Sequence, residues 1–254
     1  MHDPKKPPAS RFLALAAQLG LGSFLLALFL FLLLFQQDYR WSVIWDYRWF
    51  FLQGWEMTVI ISSISLVSSV LIGMLCALCY RAPNVLLHCL AKAYVEIIRG
   101  TPLLVQILFF YYVVANAVGI DNRYMAGVAI LSIFSGAYIA EIIRSGIEGI
   151  AKTQLQSALA IGLTTFQTYR FIIFPQAFRQ ILPPLAGQFA SIIKDSSLLS
   201  IIGINELTNN AQQINSATYS TLESYLPLAL GYLVLTLPIS IASKRLEKRF
   251  LYET

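Results

Sequence analysis

The feature that most restricts this chain is a succession of apolar runs long enough to cross a bilayer. A helix needs about 20 consecutive apolar residues to span the hydrocarbon core. The first run, residues 12–35, holds no polar side chain over its last twelve positions, 24–35. Lipid offers the backbone no water, so each run must satisfy its own N–H and C=O groups, as a helix does. The chain therefore reads as an all-α membrane protein. Composition agrees, because 57% of the residues are hydrophobic and only 12% charged, against about 25% charged in soluble domains. The net charge of +5 does not point to nucleic acid, since the basic residues flank apolar runs instead of forming a stripe.

Hydropathy places about six transmembrane helices near residues 12–35, 55–80, 91–117, 124–147, 184–203 and 224–243. The first run is too long for a signal-peptide core and ends in Phe-Gln-Gln-Asp, so it is expected to be a retained span. Its uniform Leu, Phe and Ala content suits a helix in contact with lipid all round. The expected organisation is a tail at 1–11, an extra N-terminal span, a periplasmic connection at 36–53, a five-helix core at 54–243 and a tail at 244–254. With the N-terminus inside, Lys and Arg crowd the interior segments, whereas segment 205–224 has neither and carries Glu206 and Glu223. By the positive-inside rule, both termini and the loop at 148–183 face the cytoplasm.

That loop is built like a soluble element. Thr153 with Gln156, and Thr164 with Gln167, have capping-box spacing. Gly162 lies between them, where a left-handed residue would end the first short helix. Pro183 and Pro184 are expected to mark the start of the next apolar segment. Small Ser157, Ala158 and Ala160 offer a low-profile face, and Phe166, Tyr169 and Phe171 are apolar anchors. The same aromatics, with Arg170, also suit a helix lying on the inner leaflet.

Charges inside the apolar runs are the other signal. Glu-Ile-Ile-Arg occurs at 96–99 and at 141–144, with Glu and Arg three apart and able to pair. Each pair is either a structural ion pair or part of an inner mouth. Gly100, Thr101 and Pro102 follow the first copy and are expected to kink or break the helix, with Gln106 extending a polar lining. Lys194 and Asp195, followed by Ser196, fall near the middle of the fifth span and point to a polar interior or a subunit interface. Ser62, Ser63, Ser65, Ser68, Ser69 and Gly73 read as close helix packing. Cys76, Cys79 and Cys89 read as core residues, and no cysteine–histidine cluster has metal-ligand spacing. No GxxxxGK[ST] phosphate loop is present.

These residues resemble a known family, the inner-membrane permease subunits of bacterial ABC importers for polar amino acids of the histidine/glutamine/arginine type. The likeness covers about residues 54–249. Glu96-Ile97-Ile98-Arg99-Gly100-Thr101-Pro102-Leu103-Leu104-Val105-Gln106 is similar to the family's third-span signature. Lys194-Asp195-Ser196-Ser197-Leu198 is similar to its Lys-Asp-Thr-Ser-Leu. The loop resembles the Glu-Ala-Ala motif, with Gly162 and the closing Leu182-Pro183 in place, but the triplet here is Gln156-Ser157-Ala158, so the acidic residue is an amide. The resemblance implies a type I ABC importer-like permease that carries no cofactor itself. ATP and Mg would sit on separate cytoplasmic ATPase subunits docked at the loop. A second permease subunit, identical or related, would complete the pathway, and a periplasmic amino-acid-binding protein would deliver substrate. Arg99, Thr101, Gln106, Glu141, Lys194, Asp195 and Ser196 are the expected pathway residues, with Gly100 and Pro102 as hinge and Glu141 as an attractor for a basic side chain. The rival classes are a channel or secondary carrier and a membrane-embedded enzyme. A channel or carrier would not need a docking loop, and no inverted repeat is visible; no acid–base constellation supports the enzyme.

Overall fold

A computed structural model of the chain describes Ser23 and residues 39–251. Contacts divide the chain into Met1–Arg40 and Trp41–Thr254. Apart from Ser23, the expected extra span at 12–35 lies outside the described residues, and everything below concerns the second unit. It is helical, with no strand among the described residues.

A short α1 (Ser42–Asp46) leads into α2 (Arg48–Tyr80). The connection expected at 36–53 is therefore partly helical. Helices α3 (Val85–Gly100) and α4 (Leu103–Val118) stand where a single span at 91–117 was expected, and they meet at an angle of 109°. Phe110–Ala115 within α4 is π-helical. Helix α5 (Arg123–Glu148) is followed by α6 (Lys152–Ala160) and by α7 (Thr165–Thr168), which runs on as a π-helical turn to Ile173. Then come α8 (Phe174–Asp195), a 3-10 turn over Ser196–Ile202, α9 (Leu207–Thr218) and α10 (Thr221–Leu251). Among the described residues, α2, α5 and α10 are each long and apolar enough to cross a membrane, as is the bent α3–α4 pair taken as one span.

Two boundaries differ from expectation. Pro183 and Pro184 lie inside α8, which begins at Phe174. Proline is poor inside a helix because it removes the donor to the carbonyl four residues back, that of Arg179 or Gln180 here; separately, Ser243 of α10 donates to the Pro183 carbonyl at 3.0 Å and ties the two helices together. The segment expected as a C-terminal tail is largely helical, because α10 continues through Leu251.

Helix α2 turns the soluble pattern inside out. Its buried stripe is Gly54, Thr58, Ser62, Ser65, Ser69, Gly73 and Cys76, spaced three or four apart. Ile60, Ile64, Val67, Leu71, Leu75 and Leu78 are exposed instead. Lipid is as apolar as leucine, so helices associate through close packing, and small residues permit it. The contact with α5 is reciprocal. A Cβ on Gly73 would sit 2.6 Å from Ile139 Cγ2, and one on Gly136 would sit 2.7 Å from Ile72 Cγ2. The core around this seam draws Val95 and Ile98 from α3, Ile107 from α4, Leu131 and Ala137 from α5, and Leu199 from the 3-10 turn.

Candidate functional site

The break between α3 and α4 is built from the signature residues. Gly100 is the last helical residue of α3, and open space surrounds the position of an added Cβ, so it is not a steric hinge. The turn belongs to Thr101 (φ −123°, ψ 145°) and Pro102 (φ −64°, ψ 137°), both extended. A helix end leaves carbonyls without partners, and side chains satisfy them here. Thr101 Oγ1 donates to the Ile97 carbonyl at 2.9 Å. Gln106 Nε2 donates to the Ile98 carbonyl at 2.7 Å, the Thr101 carbonyl at 3.1 Å and Thr101 Oγ1 at 2.7 Å. At 5% exposure Gln106 is a clasp across the break, not the polar lining its sequence position suggested.

Of the two Glu-Ile-Ile-Arg pairs that the spacing allows, Glu141–Arg144 forms and Glu96–Arg99 does not. Glu96 pairs with Lys92 at 3.8 Å, and Arg99 reaches across to Glu141 on α5 at 3.6 Å. Arg144 grips Glu141 with two bonds, Nε at 2.9 Å and Nη2 at 2.6 Å, and also pairs with Glu148. Glu141 is thus held between two guanidinium groups. Its charge is already balanced, which removes the basis for attracting a basic substrate side chain. These residues line a cleft of about 460 Å³ that also includes His88 and Lys92. His88 Nδ1 lies 2.8 Å from the Tyr80 carbonyl, so Nδ1 carries the proton.

The expected fifth-span residues stand apart from this cluster. Lys194 and Asp195 close α8 where it passes into the 3-10 turn, with Lys194 exposed and Asp195 half-buried. Ser196 is fully buried and spends its hydroxyl on the Ile193 carbonyl at 2.7 Å, so it offers nothing to a pathway.

The α6–α7 loop keeps one of its two expected caps. Thr164 and Gln167 form a capping box. Thr153 does not cap α6; Ala151 is the N-cap, without a side-chain bond, and Thr153 lies in the first turn. Gln156 accordingly sits in the body of α6 and is exposed. Gly162 has φ +78°, and the Leu163 N–H reaches the Ala158 carbonyl while the Gly162 N–H reaches that of Leu159. This is a Schellman ending, which a left-handed glycine makes at no steric cost. Ser157 faces solvent, whereas Ala158 is 1% exposed and faces the body. Tyr169 is half-buried against Ile150, Ile173 and Ala177, with Arg81 over its ring at 5.5 Å. It secures the loop instead of projecting from it. Leu159, Ile161, Phe166 and Phe171 carry the exposed apolar surface, with Phe166 76% exposed and Arg170 also on the outside.

At the other end lies a buried carboxylate that reading the sequence missed. Glu206 is fully buried and caps α9, accepting from the Thr208 N–H at 2.9 Å, the Asn209 N–H at 2.8 Å and the Tyr232 hydroxyl at 2.8 Å. Burial pushes its carboxyl pKa up, and these donors partly offset the rise. Glutamate is not a favoured N-cap, so only the segment's lack of Lys and Arg hinted at it.

Helices long and apolar enough to cross a bilayer, the broken α3–α4 pair and the capped loop define a polytopic membrane protein. The chain matches, over residues 69–252, the family described as "Binding-protein-dependent transport system inner membrane component". It belongs to that family. It is 37% identical over 215 residues to the Glutamine transport system permease protein GlnP of Escherichia coli K12, covering 84% of this chain and 98% of that one. It is 36% identical over 208 residues to the Probable glutamine ABC transporter permease protein GlnM of Bacillus subtilis 168, covering 82% and 96%. Among solved structures, it superposes on "Crystal structure of an amino acid ABC transporter with histidines" with a TM-score of 0.78 at 36% identity, covering 84% of this chain and all of the other. The inward-facing MetNI methionine ABC transporter shares the fold, with a TM-score of 0.68 at 19% identity over 81% of this chain and 98% of that one.

Proposed function

We propose that this chain is the membrane subunit of an ATP-driven importer of polar amino acids. Both termini and the α6–α7 loop face the cytoplasm, as the distribution of Lys and Arg supports. The domain organisation read from the sequence, an extra N-terminal span ahead of a five-helix core, belongs to this reading. The observation that carries it is the loop. A helix ended by a Schellman turn and a second one held by a capping box present Leu159, Ile161 and Phe166 with nothing covering them among the described residues. Cytoplasmic ATPase subunits dock there, holding ATP and Mg. Because Gln156 is neutral, this docking rests on apolar contact and not on a charge at that position.

Nucleotide binding biases a two-state bundle whose membrane parts move as rigid bodies. The Arg99–Glu141–Arg144–Glu148 cluster ties α3 to α5 near the loop end and latches the inner mouth. A second permease subunit completes the pathway, and a periplasmic amino-acid-binding protein lands on segment 205–224. Reconstitution tests the reading. The tagged chain co-purifies with an ATPase, and vesicles holding both, with a binding protein, accumulate L-glutamine only with ATP. No ATPase captured and no ATP-dependent uptake defeats it.

A further inference from the structure

Burial divides the junction of α1 and α2 into two sides. Val43 and Phe51 are buried with Leu207, Ala211 and Ile214, and Tyr47 packs against the same cluster. That anchorage turns the other side outward. Trp41, Trp45 and Trp49, each four residues from the next, are 49%, 69% and 66% exposed, and Leu52 is exposed after them. Three open indoles on one short stretch are costly in water, because each is a large apolar body with a single polar N–H. They suit the headgroup level of a bilayer, where Trp concentrates. The rest of α2 fixes that level. Its exposed apolar stripe runs from Leu52 through Ile60, Ile64, Val67 and Leu71, so residue 48 stands one turn, roughly 6 Å, outside the first member.

Arg48 lies among these rings. Its guanidinium carbon is 4.5 Å from the centre of the Trp45 ring and 5.7 Å from that of Trp49. Nη1 donates to the Trp45 carbonyl at 2.6 Å, the one hydrogen bond Arg48 makes among the described residues. No carboxylate among those residues, Asp46 included, pairs with it, whereas Arg99 and Arg144 both pair with Glu141. A guanidinium carries five N–H donors, so most of these stay open, and indole faces attract and steady the cation.

We propose that Trp45, Arg48 and Trp49 form a binding site for the phosphodiester of a membrane phospholipid, whose acyl chains run inward past Leu52. The guanidinium fork matches two phosphate oxygens, a fit that a point charge lacks. The indoles cover the glycerol and the upper chain carbons. A free anion has no apolar half to cover them, so a lipid is the occupant that uses both the charge and the rings. The inference rests on the membrane class of the chain and not on import, nor on which side of the bilayer the junction faces.

The test titrates the full chain, stripped of lipid in detergent, and counts bound lipid by native mass spectrometry. The probes are dioctanoylphosphatidylethanolamine, dioctanoylglycerol (the same chains without the phosphate) and inorganic phosphate. The phospholipid has no net charge, so the chain's overall positive charge does not favour it. For the first lipid bound, wild-type protein prefers the phospholipid to the diacylglycerol about tenfold or more, and inorganic phosphate does not displace it. Arg48→Gln erases the preference, and a melting point near that of wild type shows that the variant is folded. Trp45→Leu combined with Trp49→Leu weakens phospholipid binding by about tenfold. An unchanged preference in Arg48→Gln, wild-type protein indifferent to the phosphate, or displacement by inorganic phosphate at equal concentration overturns the site. Should Arg48→Gln fail to fold, Arg48→Lys carries the test. It keeps the charge without the fork and binds the phospholipid severalfold more weakly, with the diacylglycerol unaffected; binding equal to wild type overturns the site.

Discussion

Replacing Gln106 tests whether one side chain holds the break between α3 and α4. Its amide nitrogen meets three acceptors within 3.1 Å and its side chain is almost wholly buried. Gln106→Ala removes those bonds and leaves the Ile98 and Thr101 carbonyls without this donor. An orphaned buried acceptor costs about 1–3 kcal/mol; the Ile98 carbonyl becomes one, whereas Thr101 is exposed and water can serve it, so with the vacated volume the loss is about 2–4 kcal/mol. For a domain of this size about 1 kcal/mol moves the melting point by about 2–4 °C, so thermal unfolding in detergent falls by roughly 4–16 °C. Gln106→Leu retains volume and also removes the unpartnered Oε1, so it costs less. Gln106→Glu costs more, because an ionised carboxylate faces carbonyls with no proton to give. Thr101→Val shares the network, and a double-mutant cycle with Gln106→Ala shows coupling of about 0.5–3 kcal/mol. Melting points within a degree of wild type, with additive single changes, would refute the clasp.

Other expectations concern the ends of the bundle. Glu141→Gln releases Arg99 but leaves Arg144 with Glu148; because these groups are part-exposed, stability changes by less than about 1 kcal/mol, while the latch reading expects faster inward leak in vesicles. Unchanged leak removes the latch. Phe166→Ala, at a 76% exposed site, leaves thermal unfolding unchanged and weakens ATPase co-purification at least severalfold. Gly162→Ala forces φ +78° on a residue with a Cβ, costing about 1–2 kcal/mol, and lowers transport-coupled ATP hydrolysis. Glu206 gives a pH signature. Its folded pKa is raised by burial, so its stabilising contribution is present below the ordinary carboxylate range and is lost as pH rises through the raised value. Relative to Glu206→Gln, wild-type protein therefore gains melting temperature between about pH 8 and about pH 4; an equal pH dependence in both contradicts the assignment.

The membrane class, the helical backbone and the loop's glycine were legible along the chain, since they depend on run length and local backbone preference. A run of apolar residues must satisfy its hydrogen bonds internally wherever it ends up, and Gly162 adopts its turn from neighbours one helical turn away. Pro102 announced a break but not its 109° angle or its clasp, and Thr153 had cap spacing without becoming a cap. Partner choice among charges was settled only in three dimensions. Glu96 and Arg99 have the spacing of a helical pair, yet Lys92 takes one and Glu141 of another helix takes the other. The same holds for Glu206 and Gln106, which are separated in sequence from some of the groups they meet. Their roles follow from which helix packs against which, and small residues such as Gly73 and Gly136 set that by allowing α2 and α5 to approach closely.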